Sequence, residues 1–194
     1  MAPISSVCVY CGSRKGDDPV WRRAAERLGH GLAERGIGLV YGGGTIGLMG
    51  EIANAALAAG GRVTGIIPTH LDKHEIGHRG VTELLVVESM HERKRLMFER
   101  SDAFVVLPGG IGTLDETFEI VTWRQLHLHD KPILLVNQDG YWEPFLKLID
   151  HIVDRDFASV GIRRLFQVVD DVDDVFAALQ DASAPREPAR AHRL

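Results

Sequence analysis

The sequence predicts an α/β fold, a doubly wound parallel sheet of about seven strands in one domain. Three observations predict it. Short apolar runs alternate with amphipathic segments from one end to the other, the pattern of consecutive βαβ units. The runs are near-continuous in Val, Ile and Leu, which marks strands covered on both faces. Several runs end in Gly-rich loops just before a helical pattern begins, where a parallel sheet places its binding loops.

The elements follow in chain order. The first strand is "VCVY" at 7–10, leading through the loop "YCGSR", which contains Ser13, to a helix at 20–35. "GLVYGG" at 38–43 is the second strand, and a helix at 46–59 follows with Ile46, Met49, Ile52, Ala53, Ala56 and Leu57 on one stripe. "RVTGIIP" at 62–68 runs into a polar loop, "LLVVES" at 84–89 into a helix at 91–100, and "AFVVLPGG" at 103–110 into a helix at 114–126. "PILLVN" at 132–137 precedes a helix at 142–153, and "LFQVV" at 165–169 a helix at 172–180. The domain is expected to span 1–180; the Pro/Ala/Arg-rich residues 181–194 lack apolar periodicity and read as a disordered tail.

Composition bounds the function. At 194 residues with 45% hydrophobic positions, the chain can bury a full core without a disulfide or metal staple. A net charge of -5 and a pI near 6.0 argue against a nucleic-acid binder. No window approaches the ~20 apolar residues of a membrane span, and no signal sequence opens the chain, so a cytoplasmic protein with reduced thiols is expected. Cys8 and Cys11 form a CxxC, but redox chemistry wants the pair at a helix N-terminus, whereas "SVCVYCGS" reads as a buried strand entering a loop.

Four motifs carry chemistry. "GGGTIG" at 42–47, with Gly43 and Gly44, matches the GxGxxG of dinucleotide sites. The acidic residue such a site places about 20 residues on is missing from "RVTGIIPTH", so an oxidoreductase is disfavoured. The glycines still allow phosphate contact at a helix N-terminus, and a purely structural turn is the competing reading. "HEIGH" at 74–78 matches the HExxH of zinc proteases, but Gly77 inside it, Gly80 after it and Pro68 before it leave little room for a regular helix. No metal is expected there; a polar loop over a site fits better. "MHERKR" at 90–95 starts a helix at a strand's carboxyl end, where a guanidinium could clamp a phosphate or simply face solvent.

The fourth motif, "LPGGIGTLDE" at 107–116, is the most informative. Pro108 ends the strand; Gly109, Gly110 and Gly112 let the backbone turn and offer N–H groups to an anion with no Cβ in the way. Thr113 is expected to cap the next helix or bind phosphate, and Asp115 and Glu116 to occupy its first turn. A phosphate cradle followed closely by a carboxylate points to a phosphorylated substrate cut a few ångströms from its phosphate.

"PGGIGTLDE" resembles the PGGxGTxxE signature of the LOG ("Lonely guy") family of cytokinin riboside 5′-monophosphate phosphoribohydrolases, with "MHERK" at the family's spacing. The resemblance extends through "VYCGS", "VYGGGTIGLMG", "GIIP" and "GVTELLVVESMHERK", nearly the whole chain. It implies a Rossmann-like fold, no cofactor, and hydrolysis of the N-glycosidic bond of a nucleoside 5′-monophosphate, AMP or isopentenyl-AMP in type, to free base and ribose 5-phosphate. It places Arg93 and Glu116 at the catalytic positions. Glu75, Lys94, Gly110, Ile111, Gly112, Thr113, Leu114 and Thr122 fall in its substrate-binding segments, and a homodimer with the site near the subunit interface is implied. The lysine decarboxylase label often given to such proteins needs a pyridoxal phosphate and a Schiff-base lysine, which nothing in the sequence singles out.

The serious alternative is a non-catalytic nucleotide or cofactor carrier built on the same loops. Met90, Met97 and Trp123 are candidates for a pocket around a prenylated base, each equally readable as core.

Overall fold

The computed structural model describes residues 3–72 and 76–183. Its strands are β1 (Ser6–Tyr10), β2 (Gly38–Tyr41), β3 (Val63–Pro68), β4 (Glu83–Val87), β5 (Ala103–Val106), β6 (Ile133–Val136) and β7 (Gln167–Val169). They form one sheet in the order β4-β3-β2-β1-β5-β6-β7, with every pairing parallel. The helices are α1 (Pro19–Glu34), α2 (Gly47–Ala58), the single turn α3 (Thr69–Leu71), α4 (Met90–Glu99), α5 (Ile111–Gln125), α6 (Glu143–Asp154) and α7 (Val172–Ser183).

Alternation along each strand divides the core in two. Val7 and Val9 of β1 face α1, α2 and α7, while Cys8 and Tyr10 face α4, α5 and α6. Covering on both faces holds for the central strands; the edge strands are the exceptions, with Val86 of β4 46% exposed and Gln167 of β7 exposed. Chemistry at the helix starts explains the boundaries. Asp18 caps α1 by accepting from the Val20 N–H at 2.8 Å, with Pro19 in the first turn where its missing donor costs nothing. Ser89 caps α4 by accepting from the Glu92 N–H at 3.1 Å, and Glu92 Oε2 accepts in return from the Glu88 N–H.

Two boundaries differ from the sequence expectation. α7 continues to Ser183, three residues past the expected domain end at 180, because Val175, Phe176, Ala178 and Leu179 keep it docked on the core; the rest of the expected tail lies outside the described residues. α5 starts at Ile111 rather than 114, drawing half of the glycine loop into the helix. No helix among the described residues is long and apolar enough to cross a membrane.

The order of the strands creates the site. β1 pairs with β2 on one side and β5 on the other, and the helices following β1 and β5 leave toward opposite faces. The loops after these two strands therefore diverge and leave a crevice at the carboxyl end of the sheet.

Candidate active site

That crevice is a cleft of about 680 Å³. Its walls are the loop after β1 (Cys11 to Asp17), Gly42 at the end of β2, Pro108 to Thr113, Arg93 and Met97 of α4, Glu116 of α5, and Trp21 and Tyr141. The loops on either side of the switch point are tied together, since the Gly12 N–H donates to the Pro108 carbonyl at 3.0 Å.

The glycine loop is built in two parts. A Cβ at Gly109 would overlap Thr113 Oγ1 and lie 2.9 Å from the Gly12 amide nitrogen, so the fold itself requires glycine there. A Cβ at Gly110 or Gly112 would meet nothing within 4 Å. These two glycines leave open space at the mouth of α5, the volume an incoming ligand would occupy. Gly110 is the N-cap and offers no side chain, so the N–H groups of Ile111, Gly112 and Thr113 have no acceptor inside the helix. Three donors and the positive end of the helix dipole make a seat for an anion.

The early start of α5 corrects two expectations. Thr113 does not cap the helix; it is the third helical residue, buried against Gly109. Asp115 and Glu116 consequently stand in the second turn rather than the first. Their side chains part company. Glu116, 8% exposed, lines the cleft, whereas Asp115 points away and accepts from Lys94 Nζ at 3.1 Å.

Arg93 is 5% exposed, so the solvated-face reading fails for it. Its Nε donates to the Ile66 carbonyl at 3.1 Å and its Nη2 to the Gly42 carbonyl at 2.8 Å, which fixes the guanidinium on the cleft floor. Gly42 is what makes room: a Cβ there would overlap Nη2. Lys94, next in sequence, turns the other way and is ion-paired to Asp115 and Glu119, both at 3.1 Å, as a strut between α4 and α5. Burial alone would lower its pKa, but these hydrogen bonds and charges outweigh it and hold the ammonium above its ordinary value.

The remaining expected site residues divide. Ser13, Pro108, Gly109, Gly110, Ile111, Gly112 and Thr113 line the cleft with Arg93 and Glu116. Leu114 packs into the core, and Thr122 sits exposed three turns along α5, away from the cleft. Gly43 and Gly44 are structural. Gly43, at φ 79, packs on the backbone of Ile66, Gly44 pairs with Gly77, and the Leu48 N–H at the start of α2 donates to the Gly12 carbonyl rather than facing a ligand. Within "GGGTIG" only the first glycine reaches the cleft, and these two pack within the fold.

Glu75 lies outside the described residues, as does His74 of the HExxH match. At the far end of that motif Ile76 has φ 51, and His78 Nε2 lies 2.8 Å from Asn54 Oδ1. The CxxC does not form a redox pair. Cys8 and Cys11 face opposite core layers, and burial, with the Glu116 charge nearby, pushes the Cys8 thiol well above its ordinary pKa, the reverse of a reactive thiolate. Of the proposed base-pocket residues Met97 lines the cleft, Trp123 packs edge-on against Phe98, and Met90 Sδ abuts Arg93.

Sequence reasoning missed Trp21, Leu48, Met49 and Tyr141 as cleft residues. Met49 sits in an amphipathic stripe that reads as core, and no local pattern marks Leu48 or the two aromatics.

A family model described as "Possible lysine decarboxylase" matches residues 49–179. A cytokinin riboside 5′-monophosphate phosphoribohydrolase of Rhodococcoides fascians is 44% identical over 176 residues, covering 90% of this chain and 89% of its own. The enzyme named LOG of Oryza sativa subsp. japonica is 48% identical over 159 residues, 82% of this chain and 66% of its own, and LOG2 of Arabidopsis thaliana is 46% identical over the same length, 75% of its own. Among solved structures, the molybdenum cofactor binding protein of Rippkaea orientalis superposes with a TM-score of 0.71 at 20% identity, covering 95% of this chain and 99% of its own. It shares the fold.

Proposed function

The chain belongs to the cytokinin riboside 5′-monophosphate phosphoribohydrolase (LOG) family, and from that premise we propose how its cleft cuts the N-glycosidic bond of a cytokinin nucleoside 5′-monophosphate, giving free base and ribose 5-phosphate. The family description as a lysine decarboxylase does not suit the residues. Lys15, the lysine lining the cleft among the described residues, is largely exposed and paired with Glu51 at 2.7 Å, and Lys94 is locked in its double ion pair. Neither is the unpaired amine that a pyridoxal phosphate aldehyde requires.

One observation carries the reading: Glu116 stands one helical turn beyond the unbonded N–H groups that open α5. With a rise of ~1.5 Å per residue, four residues place it about 6 Å along the axis from Gly112, the order of the span from a 5′-phosphate across the ribose to C1′. The phosphate sits at the Gly110–Thr113 mouth, held by backbone donors and the helix dipole. Breaking the C–N bond develops positive charge on the sugar, and the Glu116 carboxylate stabilises that charge and orients or deprotonates the attacking water. Arg93, immobilised by the Gly42 and Ile66 carbonyls, holds the substrate from the floor without having to order its own side chain on binding. Phosphate binding energy, remote from the scissile bond, is thereby used for positioning.

The test is chromatographic release of free base from AMP and isopentenyl-AMP. The wild type should release base, and Glu116→Gln should lose ~10²–10⁴-fold in turnover while still binding nucleotide. Tight binding with no base released by the wild type would return the carrier reading; undiminished turnover in Glu116→Gln would remove that residue from the mechanism.

A homodimer completes the reading. Ile111, Phe118 and Leu126, with Leu128 beyond, form an exposed apolar stripe along α5 that also carries Thr122. A second copy is the occupant proposed for it, to be checked by sedimentation equilibrium. A cytoplasmic setting is part of the same reading: Cys8 and Cys11 are buried on opposite core layers, so the fold makes no use of a disulfide between them.

A further inference from the structure

Gly109 and Gly110 pose a problem for any anion seat made from backbone. A peptide flanked by two glycines can rotate at little cost, because neither neighbour has a Cβ to resist it. Such a flip exchanges the directions of the carbonyl and the N–H. The seat at the mouth of α5 therefore needs something to hold the 109–110 peptide in one orientation.

Tyr141 meets that need. Its hydroxyl donates to the Gly109 carbonyl at 2.7 Å, across 32 residues of sequence. The ring is itself held, edge-on to Trp21 at 4.6 Å and to Trp142 at 4.9 Å between centroids. The turn that delivers it is fixed as well: Asp139 and Gly140 adopt φ 53 and 71, and the Trp142 N–H donates to Asn137 Oδ1 at 2.8 Å. Tyr141 lines the cleft, yet no part of the hydrolytic chemistry above uses it.

We infer that Tyr141 is a positioning residue for the substrate's phosphate, acting through the Gly109 carbonyl. In a planar trans peptide the carbonyl and the N–H point in opposite directions, so anchoring the Gly109 oxygen also sets the direction of the Gly110 N–H at the helix mouth. The hydrogen bond preorganises the anion seat before substrate arrives, and its effect is confined to ligands that carry a phosphate. The inference rests on the phosphate-seat assignment made under the proposed function.

The experiment compares wild type with Tyr141→Phe, which keeps the ring and removes only the hydroxyl. Calorimetric binding of AMP, ribose 5-phosphate and adenosine is measured for both proteins, together with KM and kcat for base release from AMP. Tyr141→Phe should bind AMP and ribose 5-phosphate about 3- to 10-fold more weakly and bind adenosine as the wild type does. KM should rise by the same factor, more than kcat falls. Equal weakening of adenosine binding would mean a merely structural role, and unchanged ribose 5-phosphate binding would overturn the inference outright. Failure of the enzymatic reading shows separately, as a wild type that releases no base, and the binding comparison still decides the role of Tyr141.

Discussion

Replacing Gly42 by Ala adds a single methyl group next to the most constrained cation of the cleft. Gly42 does not have a left-handed φ, so its backbone accepts alanine and the effect is purely steric. The new Cβ would overlap Arg93 Nη2 and lie 2.9 Å from Met49 Sδ. Met49 is flexible and can give way; the guanidinium cannot, because its Nη2 and Nε are already committed to the Gly42 and Ile66 carbonyls at 2.8 and 3.1 Å. It must move by about an ångström, losing one charge-assisted bond and straining the other, which costs about 3 kcal/mol. For a chain of this size that lowers Tm by roughly 6–12 °C. A displacement of that order at the group proposed to hold the substrate should also reduce base release by ~10²-fold. Calorimetric melting and chromatographic base release measure the two effects. The pair Gly42→Ala and Arg93→Ala then forms a double-mutant cycle: with Arg93 truncated, the added methyl should cost almost nothing. An unaltered Tm and rate for Gly42→Ala, or the same cost in both backgrounds, would refute the packing argument.

Two further outcomes are expected. Gly112→Ala should behave oppositely, raising stability by about 0.5–1 kcal/mol in thermal melts through helix propensity, because its Cβ meets nothing in the protein, while weakening AMP binding at least tenfold by entering the space proposed for the phosphate. Asp102 accepts at one oxygen, Oδ2, from the backbone N–H and the hydroxyl of both Ser5 and Ser6; burial alone would raise its pKa, but these donors outweigh it and hold the carboxyl below its ordinary value. A depressed folded-state pKa contributes stability that is present above the unfolded value and is lost as pH falls through the folded one. The stability gap between wild type and Asp102→Asn in urea titrations should therefore be constant from pH 7 to 5 and close below pH ~4.

Local chemistry made much of this protein legible from its sequence. Every apolar run expected as a strand is one, and the helices of two turns or more lie within three residues of expectation, because period-2 and period-3.6 patterns and Gly/Pro punctuation act over neighbouring residues. "PGGIGT" marked the glycine turn into a helix start for the same reason: the glycines, the strand end and the helix start are contiguous. The tertiary structure decided which of those signals meet. Strand order set β1 beside β5 and so opened the cleft between their loops. It sent Arg93 to carbonyls 27 and 51 residues away and turned the adjacent Lys94 out to Asp115, a distinction that "RK" does not contain. It buried Thr113 against Gly109, withdrew Gly43 and Gly44 into a structural turn, and brought Tyr141 to Gly109. These contacts join segments remote in the chain, so their partners are chosen by packing of the whole sheet and leave no periodic trace in any one stretch of residues.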